Sequence, residues 1–109
     1  MRKLDEPAVG GRAIDRFDSV GASVRGISRR VLQVVFIQVG SGGRVGRHPT
    51  SCEQLFLVVT GTGWVSGGDG ERAPLSAGEA VVWEAGEEHE SGSEEGMTAL
   101  VVEAERLDV

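Results

Sequence analysis

The stretch GGRVGRHPTSCEQLFLVVTG, residues 42–61, together with GEAVVWEAGEEHESGS, residues 78–93, decides the fold of this chain. Each stretch opens on a glycine and carries one of the chain's two histidines, His48 and His89. Each also contains an apolar, β-branched run of strand length, at residues 55–60 and 79–83. The pattern predicts short strands that turn at glycines, with both histidines close to strand ends.

Similar strand signals extend outward from these two stretches. We predict strong strands at residues 32–39, 55–60, 79–83 and 97–103, and weaker ones at residues 20–27, 64–66 and 72–75. Glycine-rich turns are expected at residues 40–43, 61–63, 67–70 and 77–78. Residues 97–109 also fit a helical stripe, but the apolar run at residues 100–102 follows a glycine turn and favours a strand. Regularly spaced short strands predict an all-β sandwich or barrel.

Composition narrows the possible classes of protein. A chain of 109 residues suits one domain, which we place at residues 13–109 behind a flexible tail at residues 1–12. The net charge of −6 argues against nucleic acid as a partner, and no apolar run is long enough for a membrane span. The single cysteine, Cys52, excludes an internal disulfide and a CxxC site. A cytoplasmic protein is expected, because the N-terminus does not read as a signal peptide.

The spacing of glycines and histidines resembles that of the cupins, a family of small jelly-roll barrels. Their first motif is G-x5-H-x-H-x3,4-E-x6-G, and their second is G-x5-P-x-G-x2-H-x3-N. The matching positions here are Gly42, His48, Thr50, Gln54 and Gly61 for the first motif, and Gly78, Glu84, Gly86, His89 and Ser93 for the second. The resemblance implies a cupin-type jelly-roll barrel, also called a double-stranded β-helix.

The resemblance also implies a site inside that barrel. In metal-binding cupins, two histidines and a glutamate of the first motif and one histidine of the second hold a divalent ion. Carried over, this predicts His48, Gln54 and His89 as ligands of a divalent transition metal such as Zn, Fe, Ni or Mn, with Thr50, Cys52 and Ser93 lining the pocket. Thr50 replaces a histidine and Gln54 replaces the acid, so the set supplies no negative charge.

Two functions therefore stay open at the level of sequence. One is a small-molecule-binding cupin that holds a metal and acts as an oxygenase or isomerase on an unknown substrate. The other is a non-catalytic ligand-binding or sensor domain without metal, since cupins of both kinds exist. Cupins commonly pair through sheet edges, so we also expect a homodimer, joined through the tail before Gly11 or the strand through Val24.

Overall fold

The computed structural model of the protein describes residues 1–4 and 11–109, and all of their regular structure is β-strand. In chain order the strands are β1 (Arg2–Leu4), β2 (Arg12–Ala13), β3 (Ser23–Val24), β4 (Ser28–Val39), β5 (Gly43–Pro49), β6 (Glu53–Ser66), β7 (Arg72–Ser76), β8 (Ala80–Trp83), β9 (Glu88–Ser93) and β10 (Met97–Leu107). No helix in the described ranges has the length and apolar character that crossing a membrane requires. The predicted all-β fold is confirmed.

Eight of the strands form one curled antiparallel sheet, and β2 pairs with β3 in a separate hairpin. Along the main path the order is β1-β8-β6-β10-β4. The sheet curls into two facing walls, and strand β6 belongs to both. Its first part pairs with β8 and β10 in the first, larger wall, and its last part pairs with β7 and β9 in the second wall. Strand β5 completes the second wall by pairing with β9. The walls face each other as a jelly-roll barrel.

Two apolar clusters stabilise this arrangement, one on each side of the larger wall. The inner cluster fills the barrel and includes Val58, Val65, Trp83, Ala99 and Val101. The outer cluster lies on the other face and includes Leu4, Leu55, Val82, Val102 and Leu107. Because successive side chains of a strand point to opposite faces, β10 contributes Val101 to one cluster and Val102 to the other.

Some local expectations differ from the structure. The weak signal at residues 20–27 corresponds only to Ser23–Val24 and the loop beside it, whereas the strand predicted at residues 97–103 is confirmed and continues to Leu107. The first residues of the expected flexible tail are instead strand β1, which pairs with β8 and buries Leu4. Residues 5–10 of that tail lie outside the described residues.

The predicted turn at residues 61–63 was wrong, because these residues lie inside β6, where it passes from one wall to the other. Gly61 has a φ of 80°, a region that glycine enters without steric cost. A Cβ there would overlap the Gly96 carbonyl oxygen and come within 2.9 Å of the Met97 Cα. The glycine therefore permits a close backbone approach rather than a chain reversal.

This geometry predicts that Gly61→Ala destabilises the fold more than replacing a glycine whose only constraint is its positive φ. Gly70 is the matched control, since its φ is 75° and a Cβ there would meet nothing within 4 Å. We expect Gly70→Ala to lower the free energy of unfolding by about 1 kcal/mol, and Gly61→Ala by about 3 kcal/mol because the backbone must also shift. Urea unfolding measures both, and equal losses would contradict the close approach at Gly61.

Candidate ligand and metal site

The two histidines lie side by side on neighbouring strands of the second wall of the barrel. Strands β5 and β9 are antiparallel, and their register places His48 directly opposite His89. The centres of the two imidazole rings are 4.4 Å apart, with the ring planes inclined at 55°. His89 is 4% exposed, whereas His48 is exposed. The pair therefore runs from the surface into the barrel, with His89 at the inner end.

Backbone carbonyls orient both rings in the same way. The Nδ1 atom of His48 lies 2.6 Å from the Gly46 carbonyl oxygen, and that of His89 lies 3.3 Å from the Glu87 carbonyl oxygen. Because a carbonyl can only accept a hydrogen bond, we assign the proton of each neutral ring to Nδ1. Each Nε2 then keeps its lone pair, which can accept a hydrogen bond or bind a metal ion.

A cavity of about 110 Å³ opens beside the two rings. Its polar lining consists of His48, Gln54, His89, Ser91 and Glu103, and its apolar lining of Val35, Ile37, Val45, Phe56, Trp83 and Val101. A larger depression of about 470 Å³ lies beside the β2–β3 hairpin, but neither histidine lines it. The cavity at the histidines combines an apolar wall with convergent polar groups, as small-molecule sites do.

Trp83 holds the inner end of the cavity in place. Its side chain is fully buried, and its indole Nε1–H donates a hydrogen bond of 3.1 Å to the Ser66 carbonyl oxygen. One side of the indole packs on His89, at 4.4 Å between ring centres, and Phe56 meets it edge-on at 5.5 Å. This aromatic contact restricts the His89 ring, so that its free nitrogen faces a fixed direction.

Gln54 and Glu103 form the polar part of the opposite wall. Gln54, on β6, is 6% exposed and stands between Trp83 on β8 and Glu103 on β10 in the strand register. Within the described part of the chain its amide makes no side-chain hydrogen bond. The sequence reasoning missed Glu103. Its only signal is the alternation of β10, where Ala99, Val101 and Glu103 share the inner face.

The three other expected pocket residues are not among those that line the cavity. Thr50 is buried and donates its hydroxyl hydrogen bond, 2.8 Å, to the Cys52 carbonyl oxygen within the β5–β6 turn. Cys52 is half-buried in the same turn. Ser93 donates to the Thr62 carbonyl oxygen at 2.5 Å and accepts from the Gly96 amide at 2.7 Å. Thr50 and Ser93 thus satisfy backbone groups at turns, which is the common use of short hydroxyl side chains.

The donor set permits a test of whether a metal ion fits. Two imidazoles on one ion, with metal–nitrogen distances of about 2.1 Å, would have ring centres about 4.5 Å apart at the right angle of an octahedral ion and about 5.2 Å apart at the tetrahedral angle of zinc. The 4.4 Å between His48 and His89 is near the octahedral value, and the Gln54 amide oxygen can serve as a third, neutral ligand. In residues 1–4 and 11–109, no three His, Cys, Asp or Glu side chains come together as a ligand group. The residues therefore fit a weakly held ion, bound by two histidines and an amide.

Burial controls the protonation of His89. Desolvation lowers the pKa of His89 below its ordinary value of 6.5, and a positive charge on His48 lowers it further. The hydrogen bond to the Glu87 carbonyl and the carboxylates of Glu87 and Glu103 act in the opposite direction. The result of these effects is a lowered pKa, so the ring is neutral at neutral pH and available as a ligand or a base.

The lowered pKa of His89 predicts a loss of stability in weak acid. Below about pH 6.5 the unfolded chain binds a proton at this site more readily than the folded protein, so the free energy of unfolding decreases as the pH falls. One such group changes it by at most about 1.4 kcal/mol per pH unit. Urea unfolding in a chelator between about pH 7.5 and about pH 5.5, a range above most carboxylate titrations, measures this slope. In the His89→Gln variant the free energy of unfolding should depend less on pH. An unchanged slope would contradict the lowered pKa of His89.

Comparison with solved structures shows which proteins share this fold. A protein from Klebsiella pneumoniae with a double-stranded β-helix domain is 21% identical, with a TM-score of 0.61 over 83% of this chain and 90% of that one. A predicted oxalate decarboxylase from Thermotoga maritima is also 21% identical, with a TM-score of 0.61 over 67% of this chain and 65% of that one. The DMSP lyase DddQ from Ruegeria pomeroyi is 17% identical, with a TM-score of 0.62 over 65% of this chain and 36% of that one.

These likenesses concern the fold, since the identities are low and the matched part is just under two thirds of the Thermotoga protein and about a third of the lyase. No curated protein matches the sequence. The family model described as "Cupin domain" matches residues 33–104, which include β5 to β9 and most of β4 and β10. With that match over most of the chain, and with the jelly-roll barrel built around His48 and His89, this protein belongs to the cupin family.

Proposed function

We propose that this cupin binds a divalent transition metal through His48, Gln54 and His89, and that the ion and the cavity together bind a small-molecule ligand or substrate. The observation that carries the proposal is the pair of imidazoles, 4.4 Å apart, whose Nδ1 atoms are both engaged by carbonyls. Metal-binding histidines typically donate their second ring N–H in this way. A bound ion would act as a Lewis acid toward the ligand.

The size and lining of the cavity limit the ligand that it can take. A cavity of about 150 Å³ accommodates benzene, so about 110 Å³ admits a group of roughly four to six non-hydrogen atoms. Val35, Ile37 and Val101 would contact its apolar part, while Gln54 would orient a polar atom. Because His89 is buried and neutral, its Nε2 lone pair is available to an ion, and only without an ion could it accept a proton from a bound ligand. This arrangement suits an oxygenase or an isomerase acting on a small molecule.

A second candidate is a ligand-binding or sensor domain that works without metal. The observation in its favour is the neutral, incomplete ligand set, since the described residues offer no group of three His, Cys, Asp or Glu side chains. In this case His48, His89 and Gln54 would recognise the ligand by hydrogen bonds, and the apolar wall would supply most of the affinity.

Metal titration distinguishes the two candidates. We expect isothermal calorimetry with Ni²⁺ or Zn²⁺ to give one ion per chain, and we expect His48→Ala and His89→Ala each to weaken binding about tenfold or more, since each removes one of two imidazoles. Cys52→Ser is the control, because the thiol could bind metal but does not line the cavity. Its affinity should stay within about twofold of wild type. If folded wild-type protein binds neither ion, the metal proposal is wrong and the second candidate, a ligand-binding domain without metal, replaces it.

We also propose that the protein forms a homodimer, and that β4 rather than the strand through Val24 is the interface. Within the described residues, β4 ends the main sheet, so one of its two backbone edges is unpaired. Its outward side chains are apolar and exposed, with Leu32 at 63%, Val34 at 55% and Phe36 at 69%. A second copy fits this surface because two antiparallel β4 strands related by a twofold axis would satisfy each other's backbone and cover the same apolar row.

Light scattering at high micromolar concentration tests the dimer. Wild type should have the mass of two chains, and Phe36→Glu should be monomeric because it places like charges at the centre of the interface. Phe17→Glu is the matched control, since Phe17 is 88% exposed but lies outside the main sheet. A wild-type monomer, or a Phe36→Glu variant that remains dimeric, would show that β4 does not form the interface.

A further inference from the structure

Glu103 is the one acidic side chain among the described residues that line the cavity, and it comes from a strand that carries none of the matched motif positions. It stands on the inner face of β10, where it continues the alternation of the buried residues Ala99 and Val101. Its position is half-buried. The following residue, Ala104, belongs to the cluster on the other face of the sheet. The strand pairing thus directs Glu103 toward the histidines rather than toward the outer surface.

Among the described residues, no arginine or lysine lines the cavity beside Glu103. The next acid along β10, Glu105, pairs instead with Arg30 of β4 at 3.4 Å. The other polar groups of the cavity are two imidazoles, an amide and a hydroxyl. A carboxylate in a partly desolvated cavity is costly unless an opposite charge accompanies it. The described lining of the cavity therefore offers its carboxylate no positive partner.

The position of Glu103 relates directly to Gln54. The two residues are opposite each other in the β6–β10 register, and directly opposite side chains have Cβ atoms about 5 Å apart. Gln54 occupies the position at which the cupin pattern has an acid, so the wall of the cavity retains one carboxylate, displaced by one strand. Glu103 does not join the histidines in a three-residue ligand group, so any effect on a cavity occupant would act through space or through water.

We propose that Glu103 supplies the negative charge of this site, so that the cavity selects a metal dication as its occupant. This inference deepens the proposed function and rests on it. Attraction between a carboxylate and a dication is stronger in a half-buried site than on the open surface, because solvent screens the charges less. The same charge repels small anions from the metal-free cavity, so an anionic ligand would bind only after the cation.

Calorimetric titration with Ni²⁺ compares wild type with three variants at constant pH and ionic strength. Glu103→Gln keeps the side-chain shape and removes the charge, and should weaken Ni²⁺ binding about tenfold. Glu105→Gln removes the same charge from the exposed end of the same strand, and should change affinity less than twofold, since its carboxylate pairs with Arg30 at the surface. The exchange variant, Gln54→Glu with Glu103→Gln, returns one carboxylate to the cavity and should restore most of the affinity.

The outcomes separate this inference from the proposed function. If wild type binds no Ni²⁺, the metal function itself fails, and the inference fails with it. If wild type binds Ni²⁺ and Glu103→Gln binds it equally well, the metal function stands and the role of Glu103 is wrong. If Glu103→Gln is weak and the exchange variant is equally weak, the loss comes from structural damage rather than charge, and the inference is again overturned. Thermal melting of each variant verifies that it is folded.

Discussion

The rest of the structure depends on β6, the strand that pairs with four others. Its first part pairs with β8 and β10, and its last part with β7 and β9. A single strand can serve both walls only if it bends between them, and the bend lies at Gly61 and Gly63, where the backbone of β6 passes close to other chain segments. Any Cβ at these two positions would meet a carbonyl oxygen, so the closure of the barrel requires glycine there.

The closure of the barrel brings the residues of the site together. Gln54 on β6 and Trp83 on β8 are neighbours in the first wall, while His48 and His89 come from the β5–β9 pair of the second. The walls meet at the contact between Trp83 and His89, 4.4 Å between ring centres. A buried aromatic contact therefore holds the inner imidazole, and carbonyl hydrogen bonds select its tautomer. The ring needs no ion pair to keep its orientation.

Family membership explains the barrel and the place of the site, but the chemistry depends on individual side chains. Where the cupin pattern has a second histidine, this chain has Thr50, which is engaged with a backbone carbonyl inside a turn. Where the pattern has an acid, it has the neutral Gln54, with Glu103 on the adjacent strand. Among the described residues, the cavity consequently offers two imidazoles, one neutral amide and one carboxylate in a new position.

The sequence alone determined the fold class, the main strands and the two histidines of the site, because glycine spacing and apolar runs are local properties of the chain. It misjudged residues 61–63, since a glycine that permits close backbone approach and a glycine that reverses the chain look the same in one dimension. It also assigned Ser93 to the pocket, although the serine braces a turn. Only the tertiary structure revealed Glu103, because β10 is apolar on both faces, and which face meets the cavity depends on its pairing with β4 and β6.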